Sequence, residues 1–142
     1  MPEQIFSIAN TAALLAWVLL AVFPSRRWAH LLIPARLVPA LLGTAYAVIL
    51  GLHWGEGGGG FGTLAEVARL FANKWALLAG WLHYLTFDLF TGSWEVRDSR
   101  ARGIPHYLVV PCLLLTFLFG PAGLLLYLLV RRIAGGPDRE SV

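Results

Sequence analysis

Two side chains that can carry a proton, His83 and Asp88, stand inside WLHYLTFDLF (residues 81–90), a stretch otherwise suited to hydrocarbon. An imidazole and a carboxyl in one apolar setting are equipment for acid–base chemistry. They are also equipment for pinning helices together. A charged residue at the centre of a bilayer costs ~2.5–3.5 kcal/mol, so Asp88 is expected to be neutralised, paired or facing water. Side chains advance about 100° per helical residue, which puts Trp81, Tyr84 and Asp88 on one stripe and His83, Phe87 and Phe90 on another. His83 and Asp88 are about 140° apart. They therefore face different neighbouring helices or opposite walls of one cleft. Arg36 is the expected cationic partner of Asp88, with Ser7, Asn10 and Thr116 as hydrogen-bonding groups. The alternatives are a structural ion pair for Asp88 and a carbonyl partner for His83.

Other chemistries find less support. His83, Asp88, Asp98, His106 and His53 are metal-ligand types, but no pair has the helical spacing of two ligands, and no metal is expected. Cys112, the single cysteine, lacks a base at useful sequence spacing and cannot form an internal disulfide. The tract HWGEGGGGFG lacks the lysine and hydroxyl of a phosphate loop and reads as a hinge. Glu95, Asp98 and His106 are expected at one water-facing end, which is also the end nearer Asp88.

These residues must be positioned by membrane-type helices. The chain is 58% hydrophobic and 13% charged, far below the quarter charged that is usual in soluble domains. A net charge of +3, scattered, does not point to nucleic acid. A spanning helix needs about 20 apolar residues, and four segments come close: 5–23, 31–52, 75–91 and 106–130. The expected fold is an all-α integral membrane four-helix bundle, one domain over residues 1–134, with a tail at 135–142 expected to be disordered. Pro34 and Pro39 suit the first turn of the second span, and Arg36 can snorkel there. Thr63 and Glu66 have capping-box spacing and open a short amphipathic helix, TLAEVARLFANK, expected in the membrane interface. Pro111 and Gly120-Pro121 predict a kink in the fourth span. WEVRDSRARGIP reads as a charged linker.

Four spans put both termini on one side. The Lys and Arg residues then divide six to five, a tie under the positive-inside rule, with the linkers after spans one and three leaning towards the cytoplasm. GTAYAVILG in the second span offers small residues for close helix contact and a homodimer.

WLHYLTFDLFTGSW, GIPHYLVVPCLLLTFLFGPAGLLLYLLVRR and FSIANTAALLAWVLLAVFP together resemble the abscisic-acid-deficient-4-like family, over nearly the whole chain. The resemblance implies a four-helix membrane protein associated in plants with neoxanthin synthesis, in which an epoxy-carotenoid is isomerised to an allene. That reaction needs an acid for the epoxide oxygen and a base for the adjacent polyene proton. No electrons move, so no redox cofactor is demanded. On this resemblance Asp88 is expected to be the acid, His83 the base and Tyr84 an orienting or relaying group. Trp81, Phe87, Phe90 and Gly120 are then expected to line a slot for a flat polyene, with Asn10, Arg36 and Thr116 as further substrate-binding groups. Compactness, a basic pI and a start directly at the first span suggest a bacterial inner-membrane protein acting on a carotenoid or another isoprenoid lipid. The rival expectation is a carotenoid-binding or complex-stabilising membrane protein without chemistry of its own. Convergence of His83 and Asp88 on one cavity would favour catalysis.

Overall fold

The computed structural model describes residues 1–23 and 35–136. These residues form six helices and no strand: α1 (Pro2–Val22), α2 (Val38–Leu52), α3 (Leu64–Ala72), α4 (Lys74–Ala101), α5 (His106–Phe119) and α6 (Pro121–Ala134). Two stretches, Pro2–Val22 and Ala35–Leu52, are long and apolar enough to cross a membrane. Residues 31–34 of the expected second span, Pro34 among them, lie outside the described residues. Pro39 occupies the first turn of α2, where its missing N–H costs nothing. The amphipathic helix forms as α3, with Thr63 Oγ1 accepting from Glu66 N at 3.2 Å. The Glu66 carboxylate reaches back one residue further than a capping box requires, to Gly62 N.

α4 is the axis of the fold. Asn73 starts it by accepting from the amides of Trp75 and Ala76, at 2.8 and 3.2 Å. It runs for 28 residues, or about 42 Å at helical rise. The segment expected to be a charged linker from Trp94 onward is largely its last two turns. Glu95, Arg97, Arg100 and Ala101 are good helix formers, and Glu95 and Asp98 find partners on neighbouring helices, Thr116 and Arg131. Gly103, at φ 68°, ends it in the left-handed conformation that favours glycine.

Contacts along α4 give the direction of each neighbour. α1 runs parallel to it: Glu3 pairs with Lys74, Asn10 with Trp81, and Trp17 lies over Gly92. A Cβ at Gly92 would strike the Trp17 ring, so glycine there permits the close approach. α2 runs antiparallel, with His53 stacked on Trp75, Tyr46 against His83 and Gly43 against Thr86. Gly43, the first glycine of GTAYAVILG, thus packs inside the chain. Leu20, Leu82, Leu89, Val96 and Val109 are fully buried around this axis.

The stretch expected to be a kinked fourth span is instead a hairpin. α5 descends antiparallel to α4, placing Thr116 beside Glu95 and Gly120 beside Asp88. Gly120 (φ 40°) and Pro121 then reverse the chain. α6 returns alongside α5, where Gly123 fits against the backbone of Thr116. Its end meets the start of α5, with Gly136 N donating to Arg102 O at 3.0 Å. The first residues of the expected tail are therefore held, and residues 137–142 lie outside the described residues. α5 and α6 have 14 residues each, about 21 Å, which is short of the ~30 Å hydrocarbon core. Pro111 sits within α5 without ending it.

Candidate functional site

The strongest site feature is a cavity of about 480 Å³ enclosed by α2, α3, the glycine loop and the first half of α4. Its wall is mainly apolar and aromatic, including Tyr46, Ile49, Trp54, Phe71 and Trp75. Gly80 makes room for Phe71, because a Cβ there would meet the Phe71 ring. Two imidazoles interrupt this surface. His83, itself exposed, stands at one end, 5.6 Å in ring centroids from Tyr46 and 4.7 Å from Phe87. His53 stands at the other end, stacked on Trp75 at 4.1 Å, with Nδ1 2.8 Å from Glu56 Oε2. Tyr46 and His53 are seven residues apart on α2, so the two ends are about 10 Å apart along the helix.

Asp88 faces the other side of α4. A Cβ at Gly120, at the hairpin tip, would first meet the Asp88 Oδ1, and Asp88 Oδ2 is buried without a hydrogen-bond partner. Among the described residues no ion pair joins it to Arg36, which is exposed just before α2. The expected Arg36–Asp88 pair does not form, because Asp88 turns towards α5 and α6 while Arg36 turns outward. The Tyr84 hydroxyl, near the Asp88 carboxyl, donates to the carbonyls of Leu118 and Phe117 at 3.2 and 3.4 Å. Further along the same stripe Glu95 is fully buried, not at the water-facing end expected for it. Its Oε1 accepts from Thr116 Oγ1 at 2.8 Å and its Oε2 has no partner.

His83 and Asp88 consequently do not converge. One lines the cavity and the other the hairpin, which realises the first of the two arrangements that their angular separation allowed.

The family model that matches this sequence is ABA4-like, described as ABA DEFICIENT 4-like, over residues 4–127. The chain belongs to that family. Among curated proteins and among solved structures, nothing matches it. The matched region of this ABA4-like chain takes in the cavity, Asp88, Glu95 and the hairpin as far as Tyr127.

The remaining expected residues scatter. Trp81 donates its indole N–H to Asn10 Oδ1 at 2.9 Å and stacks between Phe6 and Tyr84, away from the cavity. Phe87 and Phe90 are exposed. Thr116 is buried and committed to Glu95, and Gly120 serves the turn. Asp98 and His106, considered as ligands, have other partners. His106 Nε2 lies 2.8 Å from Ala21 O. Asp98 accepts from Tyr127 (2.7 Å), from Arg131 Nε (2.8 Å) and from Arg102 Nε (3.0 Å). Burial pushes its carboxyl up, but the bonds from Arg131, Tyr127 and Arg102 outweigh burial and hold it below the usual carboxylate range. Among the described residues no three His, Cys, Asp or Glu side chains form a metal-binding group.

Sequence reasoning missed Tyr46 and the burial of Glu95. Glu95 had a signal, since it is seven residues after Asp88 and so on the same stripe. Tyr46 had none, because only tertiary packing brings α2 against His83.

Proposed function

We propose that this ABA4-like chain is an integral membrane protein that takes the end of a carotenoid or related isoprenoid into the cavity between α2, α3 and α4. There it carries out an acid–base isomerisation without redox chemistry. The observation that carries the reading is the Tyr46–His83 contact inside an apolar, aromatic-lined cavity. A flat polyene end matches such walls by shape and dispersion. The Tyr46 hydroxyl donates a hydrogen bond or proton to a ring oxygen, such as that of an epoxide. The His83 imidazole takes the proton from the adjacent polyene carbon, and the electron pair released moves to open the C–O bond. Returning the proton from His83 to Tyr46 resets the pair, so atoms and charge balance. Asp88 and Tyr84 support the hairpin in this reading. Membrane insertion rests on the two apolar helices, on the composition and on the family.

A second reading, binding without chemistry, is favoured by one observation: the carboxyls of Asp88 and Glu95 lie on the side of α4 away from the cavity. Expression in a carotenoid-producing bacterium separates the two. Pigments extracted with the purified protein are compared by chromatography for wild type, His83→Ala, Tyr46→Phe and Asp88→Asn. A new isomer that survives Asp88→Asn but disappears with His83→Ala and falls with Tyr46→Phe supports the enzyme. Loss with Asp88→Asn and not with Tyr46→Phe returns the acid role to Asp88. An unchanged carotenoid that co-purifies with every folded variant supports the binding reading. No pigment bound or altered by the folded wild type rejects both.

A further inference from the structure

The hairpin alters the side of the membrane on which each end of the fold lies. We infer that α5 and α6 enter and leave the membrane from one face, so that only α1, α2 and α4 cross it, with the arginine-rich end in the cytoplasm and the cavity opening towards the opposite leaflet. The inference rests on the membrane reading above and adds orientation and access to it.

The directions of the helices fix the ends. Glu3, His53, the glycine loop, α3 and Lys74 gather at one end of the bundle, through the Glu3–Lys74 and His53–Trp75 contacts. Ala21, Arg102, His106, Arg131 and Gly136 gather at the other, through the His106–Ala21, Arg131–Asp98 and Gly136–Arg102 contacts. Because α6 returns to where α5 began, Met1 and Gly136 lie at opposite ends. With a fourth crossing they would lie at the same end. The cations divide accordingly. Among the described residues, Arg36, Arg97, Arg100, Arg102, Arg131 and Arg132 belong to the α4 C-terminal end, against Arg69 and Lys74 at the other. The near-even division expected for four spans becomes a strong bias, since the hairpin moves Arg131 and Arg132 across. Short cationic segments close to helix ends are retained on the cytoplasmic side, where anionic headgroups also attract them. The cavity, lined by Trp54, Phe61 and Trp75, is at the arginine-poor end. An isoprenoid is therefore taken up from the non-cytoplasmic leaflet.

Cysteine accessibility tests this on the full chain. Cys112, the only native cysteine, is fully buried, so unmodified protein supplies the unlabelled control. Leu64→Cys on α3 and Phe61→Cys in the glycine loop probe one end, and Ile133→Cys probes the other. All three positions are at least three-quarters exposed. Right-side-out spheroplasts of an expressing bacterium are treated with a membrane-impermeant maleimide before or after lysis. The expected result is labelling of Leu64→Cys or Phe61→Cys in intact spheroplasts and of Ile133→Cys only after lysis. Labelling of both ends from outside, or of both only after lysis, overturns the hairpin as a one-sided element. The reverse pattern overturns the orientation. Recovery of the chain in the soluble fraction overturns the membrane reading itself. The labelling needs no pigment, so a correct orientation with no pigment effect would reject the cavity's proposed role alone.

Discussion

Replacing Asp98 by Asn should loosen the hairpin by about 2 kcal/mol at neutral pH. The Asp98 side chain is 11% exposed and accepts from two guanidinium groups and the Tyr127 hydroxyl. An amide of the same shape can still accept from Tyr127, so the loss is the charge-assisted part. A hydrogen bond to a charged group contributes roughly 1.5–3 kcal/mol. Two full bonds would double that, but the Arg102 and Arg131 side chains are 20% and 34% exposed, and water screens much of the attraction. About 2 kcal/mol corresponds to roughly a thirtyfold change in the folding equilibrium. The pH dependence has a definite sign. The Asp98 carboxyl is held below its ordinary range when folded, so its stabilisation is complete above the unfolded carboxylate pKa and disappears as pH falls through the depressed folded value. Denaturation by SDS in bicelles, followed by tryptophan emission, measures both. Trp94 packs edge-on against Tyr127 at 5.4 Å, so its emission reports on the hairpin. Wild type should lose stability on acidification more steeply than Asp98→Asn. A variant within about 0.5 kcal/mol of wild type at neutral pH, or one with an unchanged acid slope, refutes Asp98 as the clasp.

Three other substitutions test the packing. Gly123→Ala puts a methyl group into the backbone of Thr116 and should cost about 1–3 kcal/mol in the same denaturation assay, whereas a helix propensity argument alone predicts a gain. Gly92→Ala should be similarly destabilising and should be partly rescued by Trp17→Leu, measured as a non-additive double-mutant cycle. Asn73→Ala removes the acceptor for the Trp75 and Ala76 amides in the first turn of α4 and should lower stability by about 1 kcal/mol; an unchanged transition would mean that water or a neighbour replaces the cap.

What could be read from the sequence was local. The apolar run of α1, the proline in the first turn of α2 and the Thr63 cap of α3 are each decided by a few adjacent residues, and each is found. The hairpin was not legible, because a mainly apolar stretch of 25 residues interrupted by Gly120-Pro121 has the composition of one kinked span and of two half-length helices alike. Only the contacts of Gly123 with Thr116 and of Gly136 with Arg102 decide between them. The length of α4 was hidden for a related reason. Glu95, Arg97, Asp98 and Arg100 look like a solvated linker until α6 returns to meet them. The site followed the same division. Helical geometry separated His83 from Asp88, but the identity of what each faces depended on α2 and the hairpin.

The polar stripe of Tyr84, Asp88 and Glu95 then has a physical explanation that does not require chemistry on a substrate. A hairpin ending part-way along α4 brings two helix termini into an apolar interior, and each terminus carries backbone groups with no intrahelical partner. The terminal carbonyls of α5 need a donor, and Tyr84 supplies its hydroxyl to Phe117 and Leu118. The first turn of α6 is the positive end of a helix dipole, and the Asp88 carboxyl lies against its Gly120 cap. Thr116, next to the turn, is tied back to Glu95. These groups sit at seven-residue or shorter intervals on the one face of α4 that the hairpin covers. His83 sits on the other face, against the middle of α2, and among the described residues its contacts are ring neighbours and the cavity. The two members of the opening pair are thus accounted for by different forces. Asp88 lies against the positive end of α6, beside the Tyr84 that caps α5, and His83 is the polar group left facing space that a ligand can fill.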